Sequence, residues 1–193
     1  KLGAMVAALV AASLPAMAET TVLNHVTVID GTGAAAKPDS AVVMTDGKIT
    51  YVGPSAGLKV PQGARVADLP GKFVMPGLID NHWHTMFVAP SMSQVLEGDL
   101  AYLALLAGME AEATLMRGFT TVRDLGGPTF GLKTAIDDGV LKGPRIYPSG
   151  AVITVTSGHG DFRQPFDLPR TLGSARTRME QLGGALVADS PDE

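Results

Sequence analysis

The sequence predicts an α/β fold in two parts, in which a small β-module precedes a series of alternating strands and helices. Short alternating apolar segments separated by turn residues fill residues 21–72, which is typical of strands. From Phe73 onward, strand-like runs alternate with helical periodicity, and this pattern indicates parallel strands joined by crossover helices. Three such strands cannot close a barrel, but they can be the opening of one.

Residues 1–18 are predicted to be a secretory signal peptide. The apolar, alanine-rich run Leu2 to Leu14 is followed by Pro15-Ala16-Met17-Ala18, which matches an apolar core and an A-x-A cleavage site, and the run is too short to span a bilayer. The alternative is a buried helix or an uncleaved anchor. We therefore expect an exported protein, periplasmic or secreted, without stable membrane insertion after cleavage.

The β-module is predicted over residues 19–72. Strands are expected at residues 22–30, 40–45, 48–52 and 65–69. Asp46-Gly47, between the second and third of these, is a strong signal for a two-residue hairpin. The module is therefore expected to be antiparallel at least in its hairpin.

The second part, residues 73–193, is predicted to alternate strand and helix. Strands are expected at 73–80, 119–124 and 145–149, and helices at 99–117 and 128–138. The polar segment 151–171 carries His159, and a connection of this length is usually functional or disordered. Ser190-Pro191-Asp192-Glu193 is typical of a helix start, and Lys1 is not an initiating methionine, so we expect a chain cut at both ends.

Composition excludes several classes of function. The formal net charge of −4 and the pI near 5.5, with no basic stripe, argue against nucleic acid as a partner. The chain has no cysteine, which excludes thiolate nucleophiles, disulfides and Cys-based zinc sites. Any metal must therefore be held by His, Asp, Glu or a modified side chain.

His82 and His84 end the apolar run of the first barrel strand. Residues two apart in a strand point to the same face, and neutral imidazole is the commonest protein ligand for a catalytic divalent metal. The pair is therefore interpreted as half of a metal site, although most isolated H-x-H pairs bind nothing. If this strand enters a barrel, the alternation predicts Leu78, Asp80, His82 and His84 on one face and Ile79, Asn81 and Trp83 on the face toward the helices.

Three further residues are candidates for the site or its support. Asp80 either orients a ligand histidine or fixes a local turn. Asp124 either reaches the same rim or, as we favour, forms a strand-to-loop ion pair that caps the next helix. His159, between two glycines, either contacts substrate or a developing oxyanion or is a solvated loop residue, whereas His25 is expected to be structural.

Three segments carry a family resemblance when taken in order. They are Met75-Pro76-Gly77-Leu78-Ile79-Asp80-Asn81-His82-Trp83-His84, Gly118-Phe119-Thr120-Thr121-Val122-Arg123-Asp124-Leu125-Gly126-Gly127, and Gly143-Pro144-Arg145 with Thr156-Ser157-Gly158-His159-Gly160. Together they resemble the amidohydrolase superfamily, in particular its imidazolonepropionase-like and prolidase-like branch. Ser157 stands where a glycine is expected.

The resemblance implies a (β/α)8 TIM-like barrel preceded by a β-sandwich that is built from both chain ends. It also implies that His82 and His84 bind the more buried of one or two divalent metal ions, with zinc expected. A carboxylated lysine, two histidines and the aspartate that acts as general base are expected beyond Glu193. Lys133 and Lys142 precede the third strand and do not match that lysine.

The function implied is hydrolysis of amide or other C–N bonds, in dipeptides or cyclic amides, by a metal-activated water. Two imidazoles fall short of the three protein ligands typical of catalytic zinc, so the chain by itself is expected to be an inactive fragment. Two alternatives stay open: a lactone or phosphoester hydrolase on the same fold, and a non-catalytic exported barrel that binds a ligand or metal. The substrate, the metal and the oligomeric state are left open.

Overall fold

The computed structural model describes residues 19–168, 173 and 175–192. The predicted signal peptide lies outside the described residues, as do residues 169–171 of the polar segment and Glu193 of the predicted helix start. Within the described part, no helix is both long and apolar enough to cross a bilayer. The chain divides into two compact units, one ending at Pro76 and the other beginning at Gly77.

The first unit is a five-stranded sheet. Its strands are β1 (Thr20–Val28), β2 (Lys37–Thr45), β3 (Lys48–Pro54), β4 (Arg65–Asp68) and β5 (Phe73–Val74). The order is β3-β2-β1-β4, with β5 also on β1; β2 is antiparallel to β1 and β3, whereas β4 and β5 run parallel to β1. The described residues of this unit form one sheet; the β-sandwich that the resemblance implies stays a prediction.

The β2–β3 hairpin confirms the turn prediction. Thr45 pairs with Lys48, so the loop has two residues, and Asp46 and Gly47 both have positive φ, 50° and 73°. A type I′ turn needs this conformation at both central positions.

The apolar run predicted as one strand at 73–80 is divided between the two units, and that prediction is wrong. Phe73 and Val74 pair with β1, whereas β6 (Leu78–Trp83) pairs with β7 in the second unit. Pro76 lacks the N–H that a continuous strand needs. Regular pairing resumes where the Leu78 N–H donates to the Gly118 carbonyl, at 2.8 Å.

The second unit confirms the alternating strand and helix series. Its remaining elements are α1 (Met92–Glu97), α2 (Leu100–Met116), β7 (Phe119–Asp124), α3 (Phe130–Asp137), β8 (Arg145–Pro148), β9 (Val152–Thr154), α4 (Arg178–Gln181) and β10 (Ala185–Val187). Strands β6, β7 and β8 are parallel neighbours, and β9 pairs in parallel with β10. Helix α1 was not predicted; Ser91 and Gln94 form a capping box at its start.

One face of the β6-β7-β8 sheet is packed against helices, since α2 lies on β7 and α3 on β8. The core there contains Val122 and Ile146 of the strands with Leu103 and Ala107 of α2. The other face is a groove of about 570 Å³ lined by Ile79, Asn81, Thr121, Arg123, Tyr147, Pro148 and Ser149.

The predicted faces of β6 therefore need a correction. Ile79 and Asn81 were assigned to the helix side but line the open groove, whereas Trp83 packs against the helix-side core as predicted. The register of β6 against β7 shifts between Asp80 and Trp83. A bulge of this kind breaks the simple alternation of faces.

Candidate active site

A cavity of about 470 Å³ lies at the carboxyl ends of the parallel strands. His82 and His84 reach it from the end of β6, Gly126 from the loop after β7, and His159 from the loop after β9. The site thus combines three histidines that the sequence analysis singled out. The remaining lining residues are Trp83, Phe87, Val88, Pro90, Met92, Val95, Val152, Gly160, Phe162, Met179 and Gly184.

The imidazoles of His82 and His84 are close neighbours. Their ring centroids are 5.4 Å apart and the ring planes meet at 72°. His84 Nδ1 makes a long hydrogen bond of 3.4 Å to the Gly126 carbonyl oxygen. Because a carbonyl oxygen accepts, Nδ1 is the donor in this contact, and in the neutral imidazole this leaves the Nε2 lone pair for a metal or a proton donor.

Gly126 permits the close approach of Val152 to the loop after β7. A Cβ at this position would lie 2.5 Å from Val152 Cγ2 and 3.5 Å from His84 Nδ1. A side chain would therefore displace the wall of the cavity beside the His84 ring.

Asp80 holds the backbone of the histidine pair. Its Oδ1 accepts a hydrogen bond from the His82 N–H at 2.8 Å. This contact matches the local-turn alternative, because it acts on the main chain of His82 and leaves the imidazole free.

Asp124 is fully buried and joins two loops. Its carboxylate accepts hydrogen bonds from Thr85 N (2.6 Å), Gly126 N (3.1 Å) and the Thr129 hydroxyl (3.1 Å). The neighbouring Arg123 points into the opposite groove. Asp124 therefore fixes the loops after β6 and β7 through hydrogen bonds, where an ion pair had been favoured.

The loop that carries His159 is held by a network that the sequence analysis missed. Arg163 donates from Nε and Nη2 to the two carboxylate oxygens of Asp161, at 2.8 and 2.7 Å, and from Nη2 to the Thr156 hydroxyl at 2.9 Å. Asp161 also accepts from the Ser157 N–H at 2.8 Å. Both partners of the ion pair are largely buried, with side chains 10% and 8% exposed.

Charge and hydrogen bonding shift the acidity of this network. The Arg163 guanidinium holds the pKa of Asp161 well below its usual range, and Asp161 in turn raises the pKa of Arg163. Hydrogen bonds from the Thr156 hydroxyl and N–H lower the pKa of Asp189, which follows β10. Both carboxylates thus stay ionised and anchor the loop between Thr156 and Arg163.

His25 lies in the first unit, in the sheet. Its Nδ1 is 2.6 Å from Asp39 Oδ1, and this hydrogen bond raises the pKa of His25. Lys133 and Lys142 are paired as well: Lys133 contacts Asp137 within α3, and Lys142 Nζ lies 3.5 Å from Glu112.

The donor set fits part of a metal site. His82 and His84 present two imidazoles, and the long hydrogen bond to Gly126 orients one of them. Among the described residues, no group of three or more His, Cys, Asp or Glu side chains is placed to hold a metal ion. His159 therefore lines the cavity without completing a ligand set.

Comparison with known proteins decides the family. The model of the amidohydrolase family matches residues 73–186, more than half of the chain. The chain belongs to the amidohydrolase family. This match confirms the resemblance, which was based on motifs from Met75 to Gly160.

Several members of this family are similar to the chain. An ochratoxinase of Aspergillus niger is 30% identical over 174 residues, covering 81% of this chain and 33% of that protein. A prolidase crystallised with N-methylphosphonate-L-proline superposes with a TM-score of 0.75 at 33% identity, covering 89% of this chain and 41% of that one. An imidazolonepropionase of Myxococcus xanthus is 44% identical over 54 residues, covering 26% of this chain and 13% of that protein.

Proposed function

We propose that this protein is a metal-dependent hydrolase of amide or other C–N bonds, with dipeptides or cyclic amides as substrates. The observation that carries the proposal is the meeting of His82, His84 and His159 in one cavity at the carboxyl ends of parallel strands. Barrel enzymes place their active sites at this end. The hydrolases similar to the chain, a prolidase and an ochratoxinase, support the reaction class.

His82 and His84 would hold one divalent ion, with zinc as the expected metal. When bound, such an ion lowers the pKa of a coordinated water toward 7 and polarises the carbonyl under attack. The Gly126 carbonyl keeps the His84 ring oriented, and Asp80 keeps the His82 backbone in place. These contacts prepare the two imidazoles before the metal arrives.

His159 would hydrogen-bond the substrate carbonyl or the oxyanion that develops on it. Such a donor works only if it is held in position. The Asp161–Arg163 ion pair and the hydrogen bonds to Thr156 hold the loop on both sides of His159.

The remaining metal ligands and the general base are proposed to come from further strands of the barrel. The chain spans about a third of the length of the ochratoxinase, and its described residues offer two converging imidazoles. We accordingly propose that residues 1–193 alone do not turn over substrate, and that the first unit supplies one layer of a β-sandwich. Residues 1–18 are proposed to direct export.

The test is amide hydrolysis by the protein translated from the complete reading frame, assayed on a panel of dipeptides and cyclic amides before and after chelation. We expect activity that chelation abolishes and zinc restores, and that His82→Ala or His84→Ala removes. His25→Ala, in the first unit, is the matched control and should retain activity. Hydrolysis that survives chelation would contradict the proposal, and metal binding without turnover would favour the non-catalytic alternative.

A further inference from the structure

Part of the wall of the cavity is apolar. It is built by the loop after β6, by α1 and by the end of the His159 loop, and consists of Phe87, Val88, Pro90, Met92, Val95 and Phe162. Val95 is 2% exposed and anchors the wall in the core, whereas Val88 (42%) and Met92 (55%) are open to solvent. The wall is thus a supported surface with exposed apolar groups at its mouth.

The size and the lining of this cavity favour an apolar or aromatic side chain of a substrate. A cavity of about 470 Å³ is within the range of small-molecule sites and is large enough for an aromatic side chain beside the scissile bond. The described lining contains no Asp, Glu, Lys or Arg. A charged side chain packed on the apolar wall would lose hydration without gaining an ionic partner from that wall.

We propose that this wall selects amides that carry a bulky apolar or aromatic side chain next to the scissile bond. The carbonyl lies at the histidines, and the side chain packs against Val88, Met92 and Phe162. This inference rests on the proposed function for the position of the carbonyl, but the apolar subsite can be measured without catalysis. Part of the specificity would thus lie in the first loops of the barrel.

The chain has one tryptophan, and Trp83 lines the cavity, so its fluorescence reports on occupancy. The probes are N-acetyl-L-phenylalaninamide and N-acetylglycinamide, titrated against the 193-residue chain without metal. We expect a saturable change in Trp83 emission with the phenylalanine probe and binding at least tenfold weaker with the glycine probe. Equal affinity for the two probes would overturn the inference.

Two variants and two matched controls locate the binding. Met92→Gln and Val88→Asp are expected to weaken the binding of N-acetyl-L-phenylalaninamide about tenfold or more, because they place polar groups on the wall. Met109→Gln on α2 and Val140→Asp after α3 change the same residue types at positions 72% and 74% exposed, outside the cavity lining. Circular dichroism checks that each variant is folded; unchanged affinity in both folded wall variants would refute the inference.

Different experimental outcomes distinguish a failure of this inference from a failure of the proposed function. If the full-length protein hydrolyses glycine and phenylalanine amides at the same kcat/KM, the apolar subsite is refuted while the hydrolase stands. If the phenylalanine probe binds selectively but no amide is hydrolysed with zinc present, the proposed function fails while the subsite stands.

Discussion

Ser157 occupies a left-handed backbone conformation that favours glycine and is costly for most other residues. Its φ is 63°, and a left-handed conformation costs an L-residue about 1–2 kcal/mol. The resemblance had placed a glycine at this position, and the backbone explains why. The strain is retained beside His159, where the Ser157 N–H donates to Asp161.

Replacement of Ser157 should therefore separate backbone strain from side-chain contacts. We expect Ser157→Gly to raise the free energy of unfolding by up to about 1 kcal/mol and Ser157→Val to lower it by about 1–2 kcal/mol, because a β-branched residue tolerates positive φ worst. Urea denaturation of the three proteins measures the difference. A glycine variant less stable than the valine variant would refute the account of this turn.

Asp161 should make the stability of the fold depend on acid pH. Its pKa is lowered in the folded chain, mainly by Arg163, whereas an unfolded aspartate titrates near about 3.9. The stabilisation is therefore fully present above about pH 4 and is lost as pH falls further. In Asp161→Asn, the free energy of unfolding is expected to fall less steeply between about pH 4 and pH 2. Thermal denaturation across that range measures this dependence. A dependence of the unfolding free energy on pH equal to that of the wild type would contradict the prediction.

The segment that enters β6 lies so close to β7 that only glycine fits at position 77. A Cβ on Gly77 would lie 2.0 Å from Thr120 Oγ1, so Gly77→Ala is expected to push the strands apart and lower the free energy of unfolding by about 1–3 kcal/mol. Gly131→Ala is the matched change, since its Cβ would meet nothing within 4 Å in helix α3, where alanine is favoured by about 1 kcal/mol. Chemical denaturation should give opposite signs for the two variants; destabilisation of similar size in both would refute the packing argument.

The sequence predicts those elements that are determined by residues close to one another in the chain. Asp46-Gly47 predicts its hairpin because both residues tolerate positive φ, and the strand and helix series follows from apolar periodicity. Helix α1 escaped prediction because six residues are too few for a periodic pattern. The division of the run 73–80 and the shifted face of Asn81 depend on pairing with β1 and β7, which no single segment encodes.

The sequence likewise predicted part of the candidate site. The spacing of His82 and His84 and the glycines around His159 singled out three residues that the fold brings to one cavity. The apolar wall comes from three separate segments, and the Asp161–Arg163 pair acts through Thr156 and, beyond it, Asp189. These are contacts between segments that are distant in the sequence, so a local sequence pattern does not predict them.

The whole molecule belongs to the amidohydrolase family, and we propose that His82 and His84 form half of its metal site. The measurement that tests this most directly is calorimetric titration of Zn²⁺ into the 193-residue chain, its His82→Ala and His84→Ala variants, and the control His25→Ala. We predict saturable binding that either site variant weakens at least roughly tenfold and that the control retains, since loss of one imidazole leaves a single ligand. Zinc affinity equal in all four proteins would contradict the account.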